Sequence, residues 1–368
     1  MDQLHKLRDA KLLRVLAENL KSLKLSKAIT LMEVCGTHTM AIHNAGLPGL
    51  LPPNLKLISG PGCPVCVTPS SYLDTAIAVS EDHNVVVATF GDMMRVPGRS
   101  GTLTDLRKEG YPVEVVYSSL GAAELARQNP EREVVFLAVG FETTAPTIAA
   151  TVKYAQENQI GNFSILAAHK LIIPALKALI DDPQLRIYGF ILPGHVSVVL
   201  GSEPYRFIAE EHRRGCVITG FESADIIQGI LMLVEQIEKQ DYRVEIQYKR
   251  VVQPQGNPKA RAYIDEVFTP EDSIWRGFGT IPQSGLALRA EFASFDAFKR
   301  FPVEIEERPE PEGCLCGEVL RGLVEPPECS LFGEECVPES PIGPCMVSTE
   351  GTCAAFYKSS RRSARLTD

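Results

Sequence analysis

Eight short apolar runs recur along the chain, and seven of them are followed by a small-residue motif with polar groups and then by a helix-like segment. Several runs are almost continuously apolar, which is typical of strands buried on both faces of a parallel sheet. The pattern therefore predicts an α/β fold. The predicted strands are Thr30–Val34, Leu55–Ile58, Asn84–Phe90, Val113–Tyr117, Glu133–Val139, Phe163–Ala167, Ile187–Leu192 and Cys216–Thr219.

The motifs that follow these strands hold most of the unusual residues of the chain. Ligands of open parallel sheets bind beyond the carboxyl ends of the strands, so we expect the motifs to line one edge. They are "CGTHT" (35–39), "GPGCPVC" (60–66), "FGD" (90–92), "GFETTAP" (140–146), "AAHK" (167–170), "LPGHVS" (192–197) and "GFESAD" (220–225).

The order of the strands predicts three domains. The strand series restarts near residue 118, which indicates two parallel-sheet, Rossmann-like domains around a cleft, over residues 1–117 and 118–245. Residues 246–368 form a third, C-terminal domain. The acidic and proline-rich stretch 304–313 is expected to connect into its tail, with a solvated loop inside one domain as the alternative.

The N-terminal segment has leucines near one helical face and Lys and Arg on the other. This pattern predicts an amphipathic helix that covers the core, and a helix that binds a partner is the alternative. The leucines are Leu4, Leu7, Leu12, Leu13, Leu16, Leu20 and Leu23.

Composition and charge narrow the function classes. The 368 residues are 45% hydrophobic and carry a formal net charge of -9, which argues against a nucleic-acid-binding protein. No apolar run approaches the ~20 residues that span a bilayer, and the charged N-terminus is unlike a signal peptide, so we expect a cytoplasmic protein without a membrane partner. Thiols stay reduced in the cytoplasm, so the ten cysteines are expected to be metal ligands or redox groups.

Cys63 and Cys66 form a Cys-x-x-Cys pair between glycines and prolines. Three interpretations compete: a structural zinc site, which would lack two ligands, a site for a metal in transit, and a redox dithiol. Pro64 favours a stiff turn that holds the sulfurs close, and one thiol of such a pair often has a depressed pKa. We interpret the pair as a redox dithiol.

Cys35 directly follows a predicted strand, at the start of a helix or turn. Free N–H groups there would favour the thiolate, so we predict a low pKa for Cys35 and a role as an iron ligand. His38 is close enough in sequence to bind the same metal or to hydrogen-bond the sulfur. A buried His38 that bonds a loop carbonyl is the alternative.

Other polar residues at the strand ends are weaker candidates. His195 and His169 are expected to face the cleft, and capping of a loop is the alternative for both. The Glu-Thr-Thr segment 142–144 would hydrogen-bond a cleft ligand or cap the next helix. Cys216, in the apolar run "CVITG", is expected to be a buried structural residue.

The tail contains six cysteines, and no two of them form a tight Cys-x2-Cys pair. This spacing argues against structural zinc, whereas iron–sulfur clusters accept wider spacings and use four thiolates. Nearby glycines would let the backbone pass close to a bulky cluster. We therefore predict a [4Fe-4S] cluster, with zinc or a plain disulfide pattern as alternatives. The six are Cys314, Cys316, Cys329, Cys336, Cys345 and Cys353.

Together these motifs resemble the hydrogenase maturation protein HypD family. The resemblance runs from about residue 30 to the end and rests on "CGTHT", "GPGCPVC", "GFETTAP", "LPGHVS" and the cysteine tail, in that order. It implies two similar α/β domains around a cleft and a third domain that holds a [4Fe-4S] cluster. It also implies that Cys316 and Cys345 form a disulfide-capable pair. The implied cluster ligands are Cys314, Cys329, Cys336 and Cys353.

The resemblance further implies a cytoplasmic factor that assembles the Fe(CN)2CO group of [NiFe]-hydrogenase. Such factors work with a HypC-type chaperone, receive cyanide from HypE acting with HypF, and pass the iron unit to the hydrogenase large subunit. The implied cofactors are the [4Fe-4S] cluster and a transient iron with cyanide and CO ligands. Electrons would pass from the cluster through the tail pair to Cys63 and Cys66. The resemblance thus implies an assembly factor with redox-active thiols more than a conventional turnover enzyme.

A second function class stays open at this point. A freestanding iron–sulfur oxidoreductase could act on a small molecule in the cleft between the domains. The sequence has no recognisable G-x-G-x-x-G dinucleotide fingerprint, which weakens this alternative.

Overall fold

A computed structural model describes residues 7–98, 100–305 and 311–367, with side chains up to residue 361. The eight strands predicted from the apolar runs correspond to β1–β8 to within two residues at each end. The strands are β1 (Ile29–Glu33), β2 (Leu55–Ser59), β3 (Val85–Thr89), β4 (Val113–Val115), β5 (Glu133–Gly140), β6 (Phe163–His169), β7 (Gly189–Leu192), β8 (Gly215–Ile218), β9 (Val244–Ile246), β10 (Phe268–Trp275) and β11 (Gly279–Leu288).

Helices alternate with most of these strands. Those in the described ranges include none with both the length and the apolar character that crossing a bilayer requires. The helices are α1 (Ala10–Lys21), α2 (Gly36–Asn44), α3 (Pro64–Val67), α4 (Ser70–Ser80), α5 (Leu103–Lys108), α6 (Ser119–Gln128), α7 (Ala145–Glu157), α8 (Ile172–Asp181), α9 (Gly194–Leu200), α10 (Arg206–Glu210), α11 (Ser223–Lys239), α12 (Pro258–Val267), α13 (Ala297–Arg300), α14 (Cys316–Arg321), α15 (Pro344–Val347) and α16 (Thr352–Thr367).

Two parallel sheets confirm the predicted α/β fold. The first has five strands in the order β2-β1-β7-β8-β9, and the second has four in the order β4-β3-β5-β6. Every residue of β3 ("VVVAT") is buried, as expected for a strand covered on both faces. Cys216 is fully buried in β8, which confirms its predicted burial.

Strand pairing crosses the division expected at residue 118. In the second sheet β3, which precedes that residue, pairs with β5, which follows it. In the first sheet β1 pairs with β7. Apolar runs show which segments are strands, but the neighbours of a parallel strand depend on how the crossover helices pack. Each sheet therefore combines segments that are distant in the chain.

Residues after β9 form a separate two-stranded sheet, β10–β11, which packs on the core of the second sheet. The antiparallel hairpin β10–β11 and α12 bury Ile264, Phe268 and Leu286 in the same apolar cluster as residues of β5 and β6. The tail packs its last helix, α16, against α2. The predicted connector lies in part outside the described residues, at 306–310.

The N-terminal helix covers the first sheet, as its leucine pattern predicted. α1 packs against α11 and buries Leu16 and Leu20. The helix begins after Asp9, whose carboxylate accepts the N–H of Leu12 at 2.8 Å and so satisfies a free donor of the first turn. Leu4 lies outside the described residues.

Candidate functional site

The carboxyl ends of the two sheets meet at a cavity of about 480 Å³. Residues that follow β1 and β7 of the first sheet form part of its wall, residues that follow β3 and β5 of the second form another part, and the tail adds a third. Five of the seven predicted motifs therefore converge at a crevice beyond the strand ends, whereas "AAHK" and "GFESAD" contribute no residue to its lining. The polar residues of the lining are Cys35, Thr37, Asp92, Thr143, Thr144, His195, Ser348 and Glu350.

Cys35 lies between β1 and α2, at the N-cap position of that helix. Its backbone N–H donates to Oε2 of Glu33 at 2.9 Å. Gly62 packs against it so closely that a Cβ at that position would lie 2.2 Å from the Cys35 nitrogen. The N–H of Gly36 donates to the carbonyl of Gly62 at 3.0 Å. The backbone of Cys35 is therefore held between the end of β1 and the Gly-Pro-Gly segment.

The predicted low pKa of Cys35 is wrong. Burial raises the pKa of the thiol to about 12, and the carboxylates of Glu33 and Glu350 contribute to the increase. The backbone N–H groups of His38 and Thr37 favour the thiolate, as expected at a helix start, but burial outweighs them. Cys35 is therefore a neutral thiol at pH 7 and becomes a thiolate when a cation compensates its charge.

Two carboxylates that the sequence analysis did not single out flank Cys35. Glu33 is buried, its Oε1 accepts the hydroxyl of Thr39 at 2.5 Å, and burial raises its pKa to about 7. Glu350 belongs to the tail, lines the cavity and accepts the hydroxyl of Thr37 at 2.6 Å. No local pattern could reveal Glu350 because it lies 313 residues from Thr37 in the chain.

His38 lies outside the lining of the cavity. Its buried Nε2 bonds the hydroxyl of Thr219 at 2.9 Å and the carbonyl of Gly220 at 3.0 Å, while Nδ1 has no partner in the described part of the chain. Burial lowers the pKa of His38 to about 4, so the ring is neutral. This is the loop-bonding arrangement given above as the alternative to metal ligation.

The other two candidate histidines lie in different surroundings. His195, in the first turn of α9, lines the cavity and lies 4.1 Å from the ring of Phe221, measured between centroids. Partial burial lowers its pKa, which favours the neutral imidazole. His169, the last residue of β6, is fully buried outside the lining, and burial lowers its pKa to about 3. Of the pair, His195 faces the cleft.

The segment 140–144 divides between two environments. Thr143 and Thr144 line the cleft, where they can contact a ligand. Glu142 turns away from it, and its Oε1 accepts the N–H of Ile172 at 2.9 Å. The expected contact with a cleft ligand therefore fits the two threonines and not the glutamate.

Cys63 and Cys66 are joined as a disulfide at the start of α3. Both are buried, and Pro64 between them lines the cleft. Sγ of Cys66 lies 3.8 Å from the carbonyl oxygen of Pro344, the first residue of α15. The next residue of that helix is Cys345, so the disulfide lies beside the cysteine-rich tail.

All six tail cysteines line one small cavity of about 20 Å³. The Sγ atoms of Cys316 and Cys345 lie 2.9 Å apart, and hydrogen bonds from Cys314 and Cys345 lower the pKa of Cys316. Convergent thiols suit an iron–sulfur cluster, and Gly343 fits this because a Cβ there would lie 3.0 Å from Sγ of Cys314. Within residues 7–98, 100–305 and 311–361, no group of three or more His, Cys, Asp or Glu side chains could hold a metal ion. The [4Fe-4S] cluster stays a prediction.

Residues that follow β3 hold the tail at the cleft. Oδ2 of Asp92 accepts the hydroxyl of Ser348 at 2.9 Å, and Arg95 donates to the carbonyl of Val347 at 2.9 Å. The "FGD" motif marked Asp92 as a strand-end residue, but its partner in the tail has no signal in the sequence.

Comparison with known proteins agrees with the motifs. The HypD family model, described as "Hydrogenase formation hypA family", matches residues 11–360. The chain is 43% identical to hydrogenase maturation factor HypD of Rhizobium leguminosarum bv. viciae over 366 residues, which covers 97% of this chain and 95% of that protein. Hydrogenase maturation factor HypD of Cupriavidus necator is 41% identical, and the alignment covers 98% of each chain. That of Escherichia coli K12 is 44% identical, and the alignment covers 90% of this chain and 89% of that protein. The chain therefore belongs to the HypD family of hydrogenase maturation factors.

Proposed function

We propose that this protein is a scaffold on which the Fe(CN)2CO group of a [NiFe]-hydrogenase is assembled. The observation that carries the proposal is the cavity of about 480 Å³, which brings the thiol of Cys35 together with the imidazole of His195 and the carboxylate of Glu350. Thiolate and imidazole are ligands that iron accepts readily, and a carboxylate adds negative charge that attracts a cation. The motif resemblance supplies the identity of the iron group.

Iron is the cargo of this site, and Cys35 is its proposed ligand. Because burial raises the pKa of the thiol to about 12, its proton leaves when the positive charge of the iron compensates the thiolate. The neutral imidazole of His195 lines the same cavity and can accept that proton. Thr143 lies on the wall formed by the second sheet, and its hydroxyl would donate a hydrogen bond to iron-bound cyanide. The neighbouring hydroxyl of Thr144 donates to the carbonyl of Phe141 at 3.1 Å.

Thiol–disulfide exchange is the proposed redox activity. The thiols of Cys316 and Cys345 attack the Cys63–Cys66 disulfide through a mixed disulfide. The tail pair becomes a disulfide, Cys63 and Cys66 become thiols, and two electrons and two protons move between the pairs. Packing of α3 against α15 supports this route, because these helices carry one cysteine of each pair.

A [4Fe-4S] cluster in the tail is the proposed resident cofactor, and it supplies single electrons when bound. The four proposed ligands line the same small cavity as the tail pair. Cys329→Ser should abolish the brown cluster absorbance of anaerobically reconstituted protein, whereas Cys216→Ser should preserve it. Zinc bound without sulfide would contradict this assignment. The proposed ligands are Cys314, Cys329, Cys336 and Cys353.

The proposed partners follow from the same resemblance. A HypC-type chaperone would supply a second thiolate to the iron at Cys35, and HypE, acting with HypF, would supply cyanide. The hydrogenase large subunit would receive the finished group. We propose the cytoplasm as the place of assembly, since the thiol exchange needs reducible cysteines.

Infrared spectroscopy tests the proposal. We expect cyanide and CO stretching bands from the anaerobically purified complex of this chain with a HypC-type chaperone. Cys35→Ala should eliminate these bands and stop hydrogenase maturation, while the cluster absorbance of the tail persists. Cys216→Ala is the matched control, because this cysteine is buried in β8. Bands of full intensity in Cys35→Ala would show that the iron binds elsewhere, with Cys63, Cys66 and His195 as the next candidates.

A further inference from the structure

A second cavity lies behind the wall of the cleft and has a volume of about 210 Å³. It is bounded by the start of α8, the end of α9, α12 and the hairpin β10–β11. The apolar residues that matter most for its character are Leu171, Ile173, Leu200, Ile264, Phe268 and Leu286.

Glu142 is the buried polar group of this lining. Its side chain is only 2% exposed, and its Oε1 accepts the N–H of Ile172. Its Oε2 is buried and has no hydrogen-bond partner within the described ranges. Most buried polar atoms in native proteins are hydrogen-bonded, and an exception calls for a specific explanation. An unpaired carboxylate oxygen beside an apolar cavity indicates a missing donor.

Water alone is a poor partner for Oε2 of Glu142. A buried water usually makes about three hydrogen bonds, and it needs at least two polar partners. The remaining polar side chains of the lining are those of the half-buried Arg261 and the exposed Asp265, both in α12. The rest of the wall is apolar and favours a hydrocarbon surface.

We propose that this cavity binds a small uncharged molecule with an apolar body and one N–H or O–H donor that reaches Oε2 of Glu142. The body packs against Phe268 and the aliphatic side chains around it. The charges of Arg261 and Asp265 have opposite signs and compensate each other, and an uncharged ligand avoids the cost of burying an ion against the apolar wall beside Glu142. The site is distinct from the cleft that contains Cys35, because Glu142 points to the opposite side of its segment.

Two fluorinated probes test the predicted ligand chemistry. 4-Fluoroaniline has a donor, whereas 4-fluoroacetophenone has an acceptor and no donor. At about pH 8.5 the carboxyl of Glu142, whose pKa is raised to about 7 by burial, is ionised and can only accept. We expect fluorine NMR titration of the full chain to show saturable binding of 4-fluoroaniline in the millimolar range or tighter, at least tenfold tighter than 4-fluoroacetophenone.

Three variants locate the binding. Ile173→Trp fills the cavity from a half-buried position and should abolish binding, while Leu120→Trp, at an exposed position of a separate surface groove, should leave it unchanged. Glu142→Gln keeps an oxygen for the N–H of Ile172 and presents an amide donor, so the preference should reverse towards 4-fluoroacetophenone. Circular dichroism verifies the fold of each variant.

The proposal is overturned by any of three results. The first is no saturable 4-fluoroaniline binding to the wild-type chain at millimolar concentrations. The second is binding that persists in folded Ile173→Trp, which would place the probe elsewhere. The third is an unchanged preference between the probes in Glu142→Gln, which does not depend on Ile173→Trp being folded.

Discussion

Cys35 and the tail cysteines place the same chemical group in two contrasting settings. Cys35 follows a strand of a five-stranded sheet, and burial and the flanking carboxylates raise its pKa to about 12. In the tail, short helices and loops bring several thiols together, and Sγ of Cys316 lies 2.9 Å from Sγ of Cys345. Hydrogen bonds from neighbouring thiols lower the pKa of Cys316.

The contrast shows that burial and charged or hydrogen-bonding neighbours together decide whether a thiol keeps its proton. A thiol beside carboxylates keeps its proton until a cation arrives, which suits capture of a metal. Clustered thiols can stabilise one thiolate among themselves without a cation, which suits thiol exchange or a cluster. Position at a helix start, the feature visible in the sequence, was outweighed at Cys35 by burial.

The largest expected effect comes from overcrowding the close packing around the backbone of Cys35. Gly62→Ala would place a Cβ 2.2 Å from the Cys35 nitrogen and 2.6 Å from the carbonyl carbon of Val34, and backbone atoms cannot rotate away. We expect the free energy of unfolding to fall by about 3 kcal/mol or more, measured by urea unfolding. Gly161→Ala is the control, because a Cβ there meets nothing within 4 Å, and it should change stability by less than about 0.5 kcal/mol.

A somewhat smaller effect concerns the buried carboxyl next to Cys35. Burial raises the pKa of Glu33 from 4.5 to about 7, so the folded protein holds this proton more tightly than the unfolded chain. The free energy of unfolding should therefore fall by up to about 3 kcal/mol as pH rises from 4.5 to 7. Glu33→Gln should remove this part of the pH dependence, as measured by urea unfolding at pH 5 and pH 8.

The exposed Glu334→Gln is the matched control for this charge change and should keep the wild-type dependence on pH. An identical decline in Glu33→Gln and in the wild-type protein would assign the effect to other groups.

The reactivity of Cys35 sharpens the comparison of the two thiol settings. The thiolate is the form of cysteine that reacts, and the pKa of Cys35 is about 12, so the thiolate fraction rises about tenfold per pH unit between pH 7 and 10. Alkylation of Cys35 should accelerate by the same factor. Glu350→Gln removes a carboxylate that raises this pKa, so it should increase the rate severalfold at each pH. Peptide mass spectrometry separates Cys35 from the tail cysteines, and a plateau near pH 8 would contradict the assigned environment.

The smallest expected effect concerns the hydrogen bond that holds the tail at the cleft. Ser348→Ala removes the donor to Asp92, and the docking of the tail should weaken by about 1 kcal/mol. Hydrogen exchange of the α15 amides should accelerate accordingly. Ser340→Ala changes an exposed residue of the same tail and should have no such effect. Equal exchange in both variants would show that other contacts hold the tail.

Most of the fold was visible in the sequence because buried parallel strands are continuous apolar runs. β9 has three half-buried residues and no such run. The hairpin β10–β11 was missed because β10 contains Pro270, Glu271 and Asp272, which read as a loop, although its ends pack on the second sheet. Strand order was not predictable, since it depends on contacts between segments far apart in the chain.

The candidate site was predictable where its residues follow strands. Cys35, His195, Thr143 and Thr144 line the cleft as expected. Glu350 reaches the same cavity from the tail through packing of α16 on α2, which leaves no local pattern. The sequence also did not show where a side chain points within a turn. His38 is oriented by its hydrogen bonds to the loop that follows β8, and its spacing from Cys35 carries no information about those bonds.

The segment 140–144 is a common wall of two cavities, since Thr143 faces the cleft and Glu142 faces the cavity behind it. Ile172, whose N–H bonds Glu142, itself lines the cleft. A ligand that draws the carboxylate of Glu142 away from this N–H would therefore shift the cleft wall. By thermodynamic linkage, if occupancy of the cavity beside Glu142 changes the affinity of the cleft for its ligand, then binding in the cleft changes the affinity of that cavity by the same factor.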